Sequence, residues 1–149
     1  MCGISGIFDW NSLKNAEHIA SIMKDAQDHR GPDFNSTYKD ENILISHNRL
    51  SIIDLDHHSN QPMHSNLGDV VISYNGELYN YLNLKSELEA TYSFKTQSDT
   101  EVIIASYLKW GIRMLDRFEG MFAFALWDKA KKQLFLVRDR MGVKPLYFM

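Results

Sequence analysis

The sequence predicts a single α+β domain, and three observations carry that prediction. Some segments space their apolar residues as one helix face does, and one of them opens on a capping-box motif. Short runs rich in β-branched and aromatic residues read as strands. Together these runs make more sheet than the helices alone can cover. A chain of 149 residues with 44% apolar and 12% aromatic side chains has the material for one core, which excludes a disordered tail. Its 23% charged residues are spread along the whole length, and no apolar run approaches the roughly 20 residues of a spanning helix, which excludes a membrane protein.

In chain order, residues 2–9 alternate small with β-branched or aromatic residues and read as a strand. Residues 15–28 carry Ile19, Ile22, Met23 and Ala26 at helical spacing, and Gly31-Pro32 then breaks the pattern into a loop at residues 29–33. Residues 42–54 read as two short strands interrupted by the polar Ser46-His-Asn-Arg49, and residues 56–68 as a polar loop. A β-branched strand at residues 69–74 runs into Asn75-Gly76, and a helix follows over residues 79–90. Ser98-Asp-Thr-Glu101 places a hydroxyl and a carboxylate to satisfy orphan amides at the start of a helix that reaches Trp110, with Gly111 beyond it. Residues 121–127, nearly all apolar, predict a strand buried on both faces, joined across residues 128–132 to a strand at residues 133–137. Residues 145–149 read as a last strand, and this abrupt apolar end suggests further chain.

Charge and composition narrow the chemistry. Sixteen basic against nineteen acidic side chains, formally −3, lack the basic footprint of a nucleic-acid binder, and a small, nearly neutral partner is expected. The eight glycines are isolated, with no phosphate loop and no dinucleotide fingerprint, so nucleotide chemistry is not expected. One cysteine cannot form an internal disulfide, and no secretory leader pattern opens the chain; a cytoplasmic location is expected. His57, His58 and His64 lie close together, but without a His-x-x-x-His or Cys-x-x-Cys pair they predict no metal site.

That cysteine is Cys2. A free cysteine is often a small buried hydrophobe. After removal of the initiator, however, its α-amine, with a usual pKa of about 7.7–8.0, sits on the same residue as the thiol and can take the thiol proton. Asn75-Gly76 is a common hairpin signal, and equally a way to aim a side-chain amide and a backbone N–H at one oxyanion. Arg49 is either a charge at a strand end or a bidentate grip on a carboxylate. Asp99 and Glu101 either favour a helix N-terminus or offer a carboxylate to an ammonium group. Arg138-Asp-Arg140 is either a charged patch or an internal ion-pair network.

Taken in order, eight segments resemble the glutaminase domain of class II glutamine amidotransferases, and among them the asparagine synthetases most closely. They are Met1-Cys-Gly-Ile-Ser-Gly6, His29-Arg-Gly-Pro-Asp33, Arg49-Leu-Ser-Ile-Ile-Asp-Leu55, Asn60-Gln-Pro-Met63, Tyr74-Asn-Gly-Glu-Leu-Tyr-Asn80, Ser98-Asp-Thr-Glu101, Gly120-Met-Phe-Ala-Phe-Ala-Leu-Trp-Asp128 and Arg138-Asp-Arg-Met-Gly-Val-Lys-Pro-Leu-Tyr147. The resemblance runs the length of the chain, and the residues around the arginine differ from those of phosphoribosyl and hexosamine amidotransferases. It implies a four-layer αββα sandwich of the N-terminal-nucleophile hydrolase type, here C-terminally truncated, with residues 1–149 forming the glutaminase domain and the synthetase domain absent.

The resemblance also implies roles. Cys2 is similar to the nucleophile, and Asn75 with the Gly76 N–H to the oxyanion hole. Arg49 matches the residue that binds the substrate α-carboxylate, and Glu77 and Asp99 match the acids that hold its α-amino group. Leu50, Ser51, Ile52 and Ile53 would line the pocket. The implied reaction hydrolyses L-glutamine to glutamate and ammonia through a Cys2 thioester, the ammonia being meant for ATP-dependent amidation of aspartate. Relatives of this type also serve surface-polysaccharide and natural-product assembly, and a non-catalytic module of the same fold is a further alternative. No cofactor is expected in this domain; ATP and Mg are implied for the synthetase domain. The partners implied are L-glutamine, a C-terminal or separate synthetase domain that accepts ammonia, and a second copy in a homodimer, with no nucleic acid and no membrane.

Overall fold

A computed structural model describes residues 2–11, 13–50 and 57–149 of the chain. The architecture is α+β, with two antiparallel sheets. The first, in the order β1-β3-β2, contains β1 (Gly3–Phe8), β2 (Phe34–Lys39) and β3 (Ile43–Arg49). The second, in the order β4-β5-β6-β7, contains β4 (Met63–His64), β5 (Val70–Leu78), β6 (Gly120–Asp128) and β7 (Gln133–Arg138). Helix α1 (Ala16–Ala26) packs on β1 and β3. Helix α3 (Asp99–Trp110) packs on β5 and carries α2 (Tyr81–Leu88) against it. Strand β5 also contacts β1 and β3 of the other sheet.

The largest core lies between the second sheet and its helices: Val70, Ile72, Tyr74 and Leu78 of β5 and Phe122, Phe124 and Leu126 of β6 meet Val102, Ile103 and Ile104 of α3. Because strand side chains alternate, the neighbouring positions point the other way. There Val71 and Trp127 meet Ile43 and Ile45 of β3 in a core between the sheets. Strand β6 is thus apolar on both faces, as its composition predicts. Leu44, on the opposite face of β3, meets Ala16 and Ala20 of α1.

Several elements depart from the sequence expectation. Residues 46–49 do not interrupt a strand; they are the second half of β3, and all four are buried. The polar side chains enter the sheet because each finds a partner there: Ser46 Oγ meets Thr37 Oγ1, His47 Nε2 meets the Tyr74 carbonyl, Asn48 Nδ2 donates to the Lys24 carbonyl and Arg49 Nη1 donates to Asn60 Oδ1. The remainder of the proposed strand pair, residues 51–54, lies outside the described residues. Strand β2 carried no sequence signal, because it is an edge strand with a largely exposed polar face.

Asn75-Gly76 is not a hairpin turn but part of β5, paired with Ala123 and Phe122 of β6. Residues 145–149 form no strand and leave Tyr147 and Phe148 exposed; apolar composition does not make a strand without a neighbour to pair with. The buried face of α1 is Ala16 and Ala20, while Ile19 and Ile22 are exposed. Small side chains let the helix lie close to the sheet, where Gln27 Nε2 reaches the Ile4 carbonyl. Helix α3 is capped by Ser98 Oγ, which accepts the Thr100 N–H, but the reciprocal half of the capping box is not formed. Glu101 instead accepts the N–H groups of Lys95 and Thr96 and the Thr96 hydroxyl. Arg138 and Arg140 bind backbone carbonyls, at Lys144 and Gly142 and at Phe118 and Leu115, and form no ion-pair network among the described residues.

Gly31 closes the loop after α1 directly against β3. A Cβ there would stand 2.3 Å from the Asn48 oxygen and 2.7 Å from the Arg49 carbonyl carbon, both backbone atoms that cannot swing aside. Gly31→Ala is expected to destabilise the fold by about 2 kcal/mol or more, read as a lower midpoint in chemical denaturation.

Candidate active site

The inner faces of β3 and β5 change from apolar to polar along their length. On β3 the inward series is Ile43, Ile45, His47, Arg49; on β5 it is Val71, Ser73, Asn75, Glu77. The apolar halves make the core between the sheets, and Ser73 Oγ donates across to the Ser46 carbonyl at 3.1 Å. The polar halves open into a pocket of about 180 Å³ whose lining includes Cys2, Arg49, Leu50, Asn75, Gly76, Glu77 and Asp99. The structure therefore brings these sequence-predicted residues together. Ser51, Ile52 and Ile53 lie outside the described residues.

Cys2 directly precedes β1 and shares the inward parity of Ile4, Gly6 and Phe8. Its half-buried thiol lies against Leu50: Sγ accepts the Leu50 N–H at 3.5 Å and faces the Leu50 carbonyl at 3.8 Å. Arg30 Nε donates to the Cys2 carbonyl at 3.2 Å, tying the start of the chain to the turn after α1.

Strand β5 supplies a backbone donor. Opposite Gly76, Phe122 turns its polar groups away toward β7: its N–H donates to Asp139 Oδ2 at 3.2 Å and its carbonyl accepts the Asp139 N–H at 2.8 Å. Gly76 and Phe122 are therefore a narrow, non-hydrogen-bonded pair, and the Gly76 N–H points to the opposite edge of β5. A Cβ at Gly76 would stand 2.3 Å from the Met121 oxygen and 2.7 Å from Phe122 Cα, so the close approach requires glycine. On the same edge, the Tyr74 N–H is taken by Gln61 Oε1 at 2.7 Å and the Leu78 N–H by Asp99 Oδ2 at 3.0 Å. Between them on that edge lies the Gly76 N–H, and both Gly76 and Asn75 line the pocket.

Asp99 is the first residue of α3 and is buried. Its Oδ2 also accepts the Tyr74 hydroxyl at 2.7 Å. Burial raises the Asp99 carboxyl above the usual carboxylate range; hydrogen bonds from the Leu78 N–H, the Tyr74 hydroxyl and the Thr100 N–H oppose this, and the charge of Glu77 adds to it. Burial together with Asp99 keeps the Tyr74 phenol protonated well above its ordinary range, so it remains a donor. Among the described residues no group of three or more His, Cys, Asp or Glu side chains is placed to hold a metal ion.

The pocket also contains residues to which sequence reading assigned no role. Gln61 lies in the Asn60-Gln-Pro-Met63 segment, Thr100 in the helix cap, and Lys144, buried, in the segment after β7. Their motif membership was legible, but their direction was not. The Lys144 wall is held by Asp139, whose carboxylate accepts the N–H groups of Val143 and Lys144 as well as that of Phe122. Burial pushes the Asp139 pKa up, and the N–H bonds from Lys144, Val143, Phe122 and Met141 outweigh it, leaving the group below its usual value. Its stabilisation is thus complete above the unfolded-chain pKa of about 3.9 and is lost as pH falls through the lower folded-state value. Asp139→Asn is expected to lower Tm at neutral pH and to flatten the loss of Tm below pH 4, as followed by circular dichroism.

A pocket lined by a thiol, a glycine on an open strand edge, a carboxamide, carboxylates and an arginine has the groups that thiol-based acyl transfer on a small zwitterion requires. The chain belongs to the glutamine amidotransferase domain family, whose model matches residues 1–149. It is 43% identical over 151 residues to Asparagine synthetase (glutamine-hydrolyzing) 2 of Bacillus subtilis (strain 168), covering 99% of this chain and 20% of that protein. It is 40% identical over 152 residues to Asparagine synthetase B (glutamine-hydrolyzing) of Escherichia coli (strain K12), covering 99% and 26%. Amidase chry2 of Gibberella zeae is 36% identical over 160 residues, covering 99% and 24%. The chain thus spans about a quarter or less of the length of each of these three relatives.

Proposed function

We propose that this domain hydrolyses L-glutamine to glutamate and ammonia on Cys2, as the glutaminase half of an asparagine synthetase. The observation that carries the reading is the convergence of Cys2, the Gly76 N–H, Arg49 and Asp99 on one pocket in a member of the glutamine amidotransferase family. Arg49 binds the α-carboxylate, Asp99 and Glu77 bind the α-ammonium, and Leu50 supports the thiol through its backbone. Cys2 Sγ attacks the side-chain amide carbon, and the oxyanion is held by Asn75 Nδ2 and the Gly76 N–H. The carbon–nitrogen bond breaks as ammonia leaves with the thiol proton, carried by the Cys2 α-amine. Water then cleaves the thioester, returning a proton to sulfur. Ser51, Ile52 and Ile53 complete the lining.

The two sheets with α1 on one side and α2 and α3 on the other form the four-layer αββα sandwich of the N-terminal-nucleophile hydrolases. The protein works in the cytoplasm; no helix among the described residues is long and apolar enough to cross a membrane. ATP and Mg belong to a synthetase domain that amidates aspartate with the ammonia. The present pocket does not suit a nucleotide: no two glycines are adjacent in the chain, and the helix end that faces the pocket carries Asp99 and Glu101 in its first turn, which repel phosphate. A second reading keeps the hydrolytic half and changes the ammonia acceptor to one of surface-polysaccharide or natural-product synthesis; the observation that leaves room for it is a relative named an amidase rather than an asparagine synthetase. The test of the glutaminase reading is glutamate release from L-glutamine by the chain freed of Met1, with Cys2→Ala as the control; equal rates overturn it.

A further inference from the structure

Strand β5 runs past its neighbour β4, which covers only Ile72 and Val71. Beyond that point the backbone groups of Tyr74, Gly76 and Leu78 lie on an edge that no strand among the described residues covers. An edge of this kind is satisfied by side chains or it slides. Both edge groups of Tyr74 are taken by side chains from elsewhere in the fold. Gln61 Oε1 accepts the Tyr74 N–H at 2.7 Å, and His47 Nε2 meets the Tyr74 carbonyl at 3.1 Å. Since a carbonyl only accepts, Nε2 carries the proton.

Both side chains are themselves held. Gln61 Nε2 donates to Thr100 Oγ1 at 3.2 Å, and the Gln61 carbonyl accepts the Ser36 hydroxyl at 2.7 Å. His47 sits in the middle of β3 with no exposed surface. Its Nδ1 has no hydrogen-bond partner among the described residues. An orphaned buried acceptor destabilises the fold, a cost that an apolar residue at this place in a β-rich core would avoid. Burial holds the imidazole pKa down to about 4, so the ring is neutral and acts neither as a charge nor as a base near pH 7. What the ring does contribute is one N–H, aimed at the peptide two residues before the Gly76 donor.

We propose that Gln61 and His47 are positioning residues that clamp the N–H and carbonyl of Tyr74, so that the Gly76 N–H is held at the oxyanion and is the one donor of this edge left for substrate. Neither side chain needs to touch the reacting atoms. The proposal rests on the reading of Gly76 as an oxyanion donor. Loss of one such donor lowers kcat by roughly 100- to 1000-fold, and misplacement of about 1 Å lowers rates by about 100-fold. A loosened donor therefore costs kcat, while binding through Arg49 and Asp99 is spared.

The test compares kcat and KM for glutamine hydrolysis in the full chain, His47→Met, Gln61→Met and His47→Gln, together with the rate at which iodoacetamide alkylates Cys2, a displacement that forms no oxyanion. The methionine variants are expected to lose about 10- to 100-fold in kcat with KM changed by less than about threefold and alkylation unchanged. His47→Gln, whose amide N–H reaches to a similar distance, is expected to regain most of the loss. Methionine variants with wild-type kcat, in a protein whose activity still requires Cys2, overturn the clamp and leave the glutaminase reading standing. Equal losses in kcat and alkylation rate also overturn it, because they assign the two residues to the fold around Cys2. Absence of Cys2-dependent hydrolysis in the wild type overturns the glutaminase reading itself.

Discussion

Cys2→Ala is expected to bring glutamate release from L-glutamine down to the uncatalysed background. The expectation follows from the position of the thiol. Sγ lies against Leu50 at the start of β1, on the face that looks into the pocket lined by Asn75 and Gly76. Without sulfur no covalent intermediate forms, and nothing else in the lining replaces it, because Cys2 is the single cysteine in the chain. The proposed grip on the substrate's amino-acid end is separate from the thiol, so glutamine affinity measured by calorimetry is expected to stay within about threefold of wild type. Fold is expected to survive as well, since the lost contacts are weak sulfur bonds to one residue. Mass spectrometry of acid-quenched wild type should reveal the glutamyl adduct on the peptide that contains Cys2, absent from the variant. An adduct elsewhere, or a variant as fast as wild type, would remove Cys2 from the mechanism.

Asp99→Asn is expected to separate binding from stability. The wild-type carboxylate is buried, and its Oδ2 accepts hydrogen bonds from two neutral donors, the Tyr74 hydroxyl and the Leu78 N–H. Its pKa is raised chiefly by burial, so the folded protein holds this proton more tightly than the unfolded chain does. The linkage sign follows: this contribution is fully present below the unfolded-chain pKa of about 3.9 and is lost as pH rises through the raised folded-state pKa, leaving a penalty at neutral pH. Asparagine keeps an oxygen for both donors and carries no charge. Tm at pH 7 is therefore expected to be equal or higher in the variant, and its dependence on pH through the acidic range weaker.

The same substitution removes the anion proposed to meet the substrate ammonium. Truncating one partner of a buried charge pair costs about 2–5 kcal/mol, so KM for glutamine is expected to rise about 30-fold or more. In wild type KM should rise as pH falls through the raised pKa, because the protonated acid no longer pairs with an ammonium; in Asp99→Asn that dependence should vanish. A variant both less stable and unchanged in KM would show that Asp99 serves the fold alone.

Local chemistry made much of this molecule readable. The Ser98 cap, the helix it starts and Gly111 beyond it depend on near neighbours in the chain, and α3 runs from Asp99 to Trp110 as that pattern predicts. The apolar composition of residues 121–127 was enough to bury β6 on both faces. The errors fall where partners distant in sequence decide. Ser46, His47, Asn48 and Arg49 read as a break because they are polar, yet all four are buried in β3, each bonded to another element. Ile19 and Ile22 read as the inner face of α1, but the sheet takes Ala16 and Ala20.

By itself the sequence determined the α+β class, the helix cap and the glycines and polar motifs from which the candidate site is assembled, because those depend on residue type and short spacing. Tertiary structure decided what the motifs are. Asn75-Gly76 has the composition of a turn, and it is strand only because β6 lies alongside and Phe122 closes a pair too narrow for a side chain. That same pairing turns the Gly76 N–H outward, and Gln61 and Asp99 occupy the donors on either side of it. The direction of a backbone N–H is set by which neighbouring strand takes the alternate hydrogen bonds, and strand pairing joins residues far apart in the chain. No short stretch of sequence contains that information.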